Sequence, residues 1–344
     1  MITVILWISG AFLLLQVIVL MYLSISKQKG IHHDQEVLRV YQQVLSPYLS
    51  YLAGEAEQEP SLPADEQIRV KVLEKLLSKY ASNIKGAENE QRMRKTAERY
   101  LTDYYRHILQ KGSWAERVNT LFFIEDYQMK ALQADVKTHY LSLKDKDEEY
   151  RQSLRVLAAF GDDSVLEMLK SDTSISIGFM KECFRRLPQA SIEKLKKDQE
   201  LPAPVKLSLI SYFGETGYYE HLPYVEFHLT HEEKEVRLKA LAALCQYRYI
   251  SSADKISAFL NSEVWEERMY AARLSGLLQL TRYSTTLMKL AGDSNWWVRF
   301  AACEALKQMP DGEILLTFAA EGHEDLYARD MAKQLQTLRT GVSR

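Results

Sequence analysis

The stretch DSNWWVRFAACEAL, residues 293–306, combines an acidic turn, two tryptophans, a Val-Arg pair and a run of small residues. Related stretches lie on both sides of it: EVRLKALAAL at 235–244, EERMYAARLS at 266–275 and YARDMAKQLQ at 327–336. Each copy has an arginine followed three residues later by an alanine. The arginines are 31, 31 and 30 residues apart: Arg237, Arg268, Arg299 and Arg329. A fixed period near 30 residues, with two helical patterns per period, indicates a helical solenoid.

Weaker copies extend the pattern towards the N-terminus. Lys206 lies 31 residues before Arg237, and degenerate copies surround Met180, Arg151 and Arg117. The sequence therefore predicts a solenoid of about seven repeats over residues 113–344.

These stretches resemble HEAT repeats, specifically the short bacterial HEAT-like kind (the PBS-lyase type), with an acidic turn, a Val-Arg pair opening the second helix, and small residues after it. DSNWWVRFAACEAL is the best single match. The resemblance implies an all-α fold, an α-solenoid of HEAT-like helical repeats. It implies little about function, because this repeat serves many roles.

The repeat arginine lies in the first turn of the second helix, where a lone cation opposes the helix dipole. It therefore needs an acid nearby. Three copies have one six residues earlier, which predicts a ladder of ion pairs within the turns: Asp145 with Arg151, Glu200 with Lys206, and Asp293 with Arg299.

The N-terminus carries a charge-free run, ITVILWISGAFLLLQVIVLMYLSI, at residues 2–25. Twenty-four helical residues rise about 36 Å, enough to cross a hydrocarbon core of about 30 Å. A cleaved signal peptide would have a basic start and a small-residue cleavage site, and a core helix would be amphipathic. The run predicts one uncleaved transmembrane helix at 1–26. Because Lys27 and Lys29 follow it, we expect a single-pass protein of the cell membrane, N-terminus outside and solenoid in the cytoplasm.

Residues 27–112 lie between this run and the repeats. The acidic, proline-containing stretch EAEQEPSLPADE at 55–66 is typical of a linker, and two charged helical patterns follow at about 65–81 and 88–111. This region is interpreted as a helical stalk or N-terminal cap.

Composition limits the function classes. The formal net charge is −2, which provides no basic surface for a phosphate backbone, so no nucleic-acid partner is expected. The three cysteines are far apart and form no C-x-x-C pair, as free thiols in a reducing compartment do: Cys183, Cys245 and Cys303.

Tryptophans mark one edge of the predicted solenoid. Trp114, Trp265 and Trp296 each precede a repeat arginine by three residues. Each ring can simply cover the turn of its own repeat. The other interpretation is a binding rim, since Trp, Tyr and Arg are enriched at interface hot spots. We therefore predict a protein-binding surface on two neighbouring second helices: Trp265, Tyr270, Arg273, Trp296 and Trp297.

Catalytic signals are weak. His231-Glu232 and His323-Glu324 share one register, and deoxyhypusine hydroxylases, also HEAT-like, bind iron through four such pairs. The other two pairs are missing, so we expect no metal site, no cofactor and no enzyme. The favoured function is a membrane-anchored scaffold for a cytoplasmic or integral membrane protein, serving an envelope-assembly or glycosyltransferase complex. The alternative is a HEAT-like enzyme or ligand sensor whose groove takes a metal or a tetrapyrrole.

Overall fold

The computed structural model describes residues 2–82, 86–172 and 174–337, without the side chains of residues 2–6, 8–11, 26, 29 and 30. The described residues form helices joined by short turns, and no strand occurs among them. The chain divides into two compact units, residues 1–162 and 163–344.

The described residues of the N-terminal unit form six α-helices: α1 (Ile2–Ala53), α2 (Glu66–Ala81), α3 (Ala87–Lys111), α4 (Trp114–Asp126), α5 (Gln133–Ser142) and α6 (Glu148–Phe160). Local chemistry determines where they begin. Ser113 and Glu116 form a capping box at the start of α4, and the Asp147 carboxylate accepts the N–H groups of Glu149 and Tyr150 at the start of α6. Gly161 ends α6 in the left-handed region, at φ 72°.

The C-terminal unit alternates shorter and longer helices: α7 (Ser164–Ser171), α8 (Ile177–Phe184), α9 (Gln189–Lys197), α10 (Ala203–Thr216), α11 (Leu222–Phe227), α12 (Lys234–Tyr247), α13 (Lys255–Leu260), α14 (Trp265–Leu277), α15 (Ser284–Leu290), α16 (Trp296–Gln308), α17 (Gly312–Gly322) and α18 (Leu326–Thr337). The even-numbered helices α8 to α16 pack against each other in chain order, and α13, α15 and α17 each pack against the helix that follows. This is a stack of helix pairs, as the repeat pattern predicts.

The repeat columns of the sequence occupy fixed positions in these helices. The arginine-column residue is the fourth residue of every even-numbered helix from α4 to α18: Arg117, Arg151, Met180, Lys206, Arg237, Arg268, Arg299 and Arg329. The alanines three residues later in the four clearest copies are fully buried: Ala240, Ala271, Ala302 and Ala332. The helix register read from the sequence is therefore confirmed.

The predicted transmembrane helix is not found. None of the helices in the described part of the chain combines the length and the apolar character needed to cross a membrane. The charge-free run is the first part of the 52-residue helix α1. Residues 2–6 and 8–11, which belong to that prediction, have side chains outside the described set, and the continuous apolar run that is described begins at Phe12 and ends at Ile25. The anchor at 1–26, and the single-pass placement with the solenoid in the cytoplasm, are wrong for the described residues.

The second part of α1 packs on α2. Val37 is buried against Ile68 and Val72, with Val40 and Tyr41 beside them. The division of the rest of the chain into a stalk at 27–112 and a solenoid of about seven repeats at 113–344 stays a prediction.

Candidate functional site

The repeat arginines share one set of contacts with the turn that precedes their helix. In Arg237, Arg268 and Arg299 one guanidinium nitrogen, Nη1, donates to the backbone carbonyls five and six residues earlier, at 2.7–3.1 Å. Arg69 in α2 does the same with Ala64 and Pro63 at 3.1 Å, a copy that the sequence period did not show. The arginine thus closes the turn on its own helix.

The acids that pair with Arg237 and Arg268 come from the next repeat. Arg237 Nε lies 2.7 Å from Glu267 Oε1. Arg268 binds both oxygens of Asp293, at 2.7 and 2.9 Å. The prediction that Asp293 pairs with Arg299 is therefore wrong. The backbone carbonyl of Asp293 accepts a hydrogen bond from Arg299, whereas its carboxylate binds Arg268.

Asp293 is held ionised by these bonds. Its side chain is only 8% exposed, and burial alone would raise the pKa of the carboxyl group. Hydrogen bonds from Arg268 and from the backbone N–H of Asn295 outweigh burial, so the pKa of Asp293 lies below its ordinary value. The ladder is thus a structural device that joins neighbouring repeats.

The two adjacent tryptophans of the predicted binding surface project from the start of α16. Trp296 is 45% exposed and Trp297 is 56% exposed. Their rings meet edge to face at 4.7 Å between centroids, and Trp296 stacks on Phe300 at 5.4 Å. The Asn295 side chain caps the helix by accepting the N–H of Trp297. Two large rings are therefore held in place and remain open to solvent.

The other three predicted residues lie on α14, which packs directly against α16. Trp265 and Tyr270 are half-buried and Arg273 is exposed. No ring contact joins Trp265 to the α16 tryptophans among the described side chains. Burial raises the pKa of Cys245 to about 12, with Arg273 acting in the opposite direction, which places the guanidinium near that thiol.

Further exposed apolar residues lie near the C-terminal end of the described chain and were not predicted. Ile314 and Phe318 on α17 are 70% and 62% exposed, on the side away from buried Leu316 and Ala319. The sequence signal is the high share of apolar residues in GEILLTFAAEG. Tyr327 on α18 is 67% exposed, and the guanidinium of Arg299 lies over its ring at 5.3 Å.

The described residues contain no group of three metal-ligating side chains. In both His-Glu pairs the histidine Nδ1 accepts a backbone N–H two residues later, from Glu233 in one and Asp325 in the other. These histidines therefore close turns. All three cysteines are free, and burial raises the pKa of Cys303 to about 12, which suits an unreactive thiol.

Comparison with known proteins supports the repeat assignment. A HEAT repeat family model matches residues 285–309, which span α15 and α16. The chain is thus a HEAT-like repeat protein. Similar solved structures include human deoxyhypusine hydroxylase, at 16% identity and a TM-score of 0.29 over 90% of this chain and 97% of that one. An engineered protein is 14% identical, with a TM-score of 0.34 over 91% of this chain and 95% of that one. No curated protein matches the sequence.

One of these neighbours corrects the expectation that the chain is not an enzyme. Deoxyhypusine hydroxylase is an enzyme, so a likeness of this kind does not exclude catalysis. Neither structural likeness is close enough to transfer an activity to this chain.

Proposed function

We propose that this HEAT-like repeat protein is a scaffold that binds a protein partner through the surface formed by Trp265, Tyr270, Arg273, Trp296 and Trp297. The observation that carries the proposal is the pair of half-exposed indole rings at the start of α16. Large rings held by packing lose little conformational freedom when a partner covers them, and such rings dominate interface energies.

Arg273 supports the same surface. It is exposed, and no salt bridge to it occurs among the described residues, unlike the ladder arginines Arg237 and Arg268. A guanidinium without an ion-pair partner suits a carboxylate on a partner, because Arg binds carboxylates with two parallel hydrogen bonds. The prediction of a partner in envelope assembly, including a glycosyltransferase, was inferred from the membrane anchor alone. Because that anchor is not found, we do not propose such a partner. We also propose that the repeats are of the short PBS-lyase type.

Site-specific photocrosslinking in the cells that make the protein tests this function. A photoreactive residue at position 297 should trap a discrete protein, identified by mass spectrometry. The control position is Leu141, which is 68% exposed on α5 of the other unit. Equal trapping of the same proteins from both positions would show that the surface has no special role.

A double variant then tests the named residues. Trp265→Ala with Arg273→Ala should reduce trapping from position 297 by at least about tenfold, corresponding to about 1.4 kcal/mol. Arg94→Ala with Arg99→Ala removes two arginines from α3 and should leave trapping unchanged. If only the second pair reduces trapping, the partner binds the N-terminal unit instead.

A further inference from the structure

The arginine ladder lacks an acid at Lys206. Lys206, in the first turn of α10, occupies the ladder position, but the next repeat presents His231 in place of a carboxylate. The spacing of 25 residues is the same as between Arg268 and Asp293. Lys206 Nζ lies 3.1 Å from His231 Nε2, and no described carboxylate forms an ion pair with it.

The contact between Lys206 and His231 joins two hydrogen-bond donors. His231 Nδ1 accepts the backbone N–H of Glu233 at 3.1 Å, so the proton of the neutral ring is on Nε2. An ammonium group has three donors and no acceptor. With the ring proton on Nε2, the 3.1 Å contact between Nε2 and Nζ joins two donors, and an acceptor must come from elsewhere.

His323 shows what the same turn looks like when it is satisfied. It stands in the same register, six residues before its repeat arginine, and its Nδ1 accepts the N–H of Asp325 at 3.0 Å. Its Nε2–H donates to the backbone carbonyl of Met288 at 3.0 Å. His231 has the same tautomer but meets a cation, so its Nε2–H has no acceptor in this contact.

A cavity of about 740 Å³ opens beside this pair, lined by residues of α9 to α11 and the turns that follow. Two lysines of the cavity, Lys206 and Lys197, form no ion pair with a described residue. Lys197 is also exposed. Lys196 is paired with Glu193 at 2.9 Å, and Asp198 with Lys170 at 2.6 Å. The cavity therefore carries about two uncompensated positive charges.

Aromatic groups form another part of the wall. Phe227 is 73% exposed at the cavity. Burial holds the pKa of His228 below its ordinary value, and its Nδ1–H donates to the Tyr224 carbonyl at 2.8 Å. The ring of His228 is thus a neutral surface, which stacks on His231 and lies tilted against Tyr224. An anion bound here would have an apolar platform next to it.

We propose that this cavity binds a small phosphate monoester, whose phosphoryl oxygens accept hydrogen bonds from Lys206 Nζ and His231 Nε2–H while its organic part lies on Phe227. A phosphate monoester carries a charge near −2 at neutral pH, which matches the two free lysines better than a carboxylate does. The volume lies in the range of small-molecule sites. This site is separate from the surface proposed to bind a protein.

Calorimetric titration of the full-length chain with phenyl phosphate is the test. Binding should saturate at one ligand per chain, with inorganic phosphate weaker and benzoate at least about tenfold weaker. His231→Asp puts a carboxylate at the position that Asp293 has in a later repeat. It should pair with Lys206, lower the affinity for phenyl phosphate by at least about tenfold, and leave the melting temperature unchanged or higher.

Two further variants make the result specific. Lys206→Met should also abolish binding. Lys289→Met removes the same charge from an exposed position on α15 and should leave the affinity unchanged. The proposal is wrong if phenyl phosphate fails to bind at millimolar concentration, if His231→Asp binds it as well as the native chain, or if Lys289→Met weakens binding equally. Tighter binding of benzoate would assign the site to carboxylates instead.

Discussion

A repeat arginine can bind both the turn that precedes its own helix and an acid of the next repeat. Arg268 donates to the carbonyls of Ser262 and Glu263 and also binds both oxygens of Asp293 in the next repeat. Its side chain is 15% exposed and that of Asp293 is 8% exposed. Removing one member of such a pair costs more than the pair contributes, because the other member stays buried without a counter-charge.

Arg268→Met should therefore lower the free energy of unfolding by about 3 kcal/mol. Methionine keeps the alkyl packing but leaves two carbonyls and one carboxylate without their donor. Arg329→Met is the matched control, because Arg329 holds the same position in α18 and has no described ion-pair partner. Urea denaturation should show the smaller loss for the control. Equal losses would mean that the arginine acts through its stem alone.

The same pair predicts a pH dependence. The pKa of Asp293 is lower in the folded chain than its ordinary value of about 3.9, so its ionised form stabilises the fold above that pH. The contribution is lost as the pH falls through the lower, folded-state pKa. The difference in unfolding free energy between the native chain and Asp293→Asn should be constant from about pH 5 to 7 and shrink below about pH 4. A difference that stays constant down to pH 2 would contradict this.

At the level of helices, glycines set how closely the second helices approach. A Cβ on Gly276 of α14 would stand 2.5 Å from Cα of Ala305 on α16. A Cβ on Gly214 of α10, two repeats earlier, would stand 2.8 Å from Cα of Ala243 on α12. Both contacts involve backbone atoms, which cannot turn aside as a flexible side chain can. Cys245 occupies the equivalent position in α12, the second helix between these two contacts.

Gly276→Ala should consequently destabilise the chain by about 1–3 kcal/mol, because α14 and α16 must separate to admit the methyl group. Alanine favours a helix over glycine by about 1 kcal/mol, so the packing cost has to exceed that gain. Gly178→Ala on α8 supplies the control: nothing but Ser176 Oγ, at 3.9 Å, lies near its Cβ position. That variant should be neutral or slightly more stable in thermal melting. The two variants behaving alike would show that the helices are not in close contact at Gly276.

For the whole molecule, the sequence was informative where the cause is local. The arginine and alanine columns follow from helix periodicity, so the fourth-residue position of Arg299 and the burial of Ala302 could be read directly. The acidic partner of an arginine could not be predicted from the sequence, because it depends on which turn of the next repeat comes within reach. Sequence spacing offered the acid of the same turn, six residues earlier, whereas the structure uses one 25 or 30 residues later.

Sequence patterns were also insufficient for predicting the membrane anchor and the exposure of the binding residues. Hydropathy identifies an apolar run, but it does not show where the helix that contains this run ends. In the structure that helix, α1, continues to Ala53. Tryptophan spacing finds Trp265 and Trp296 alike, although the first is half-buried and the second is 45% exposed. The Lys206–His231 contact matches no sequence motif. A lysine and a histidine 25 residues apart can be recognised as a contact only once the structure has shown the spacing of the ladder.

Stability in a stack of repeats is a sum of neighbouring interfaces, so damage should remain local. Ala302 is fully buried in α16, which packs against α14, α15, α17 and α18. Ala302→Leu overfills that layer and should cost about 1–3 kcal/mol. Hydrogen exchange should then speed up in α14 to α18, while α2 to α6 of the N-terminal unit exchange at native rates. A uniform increase across both units would instead mean that the chain opens as a single cooperative structure, since each interface would then depend on all the others.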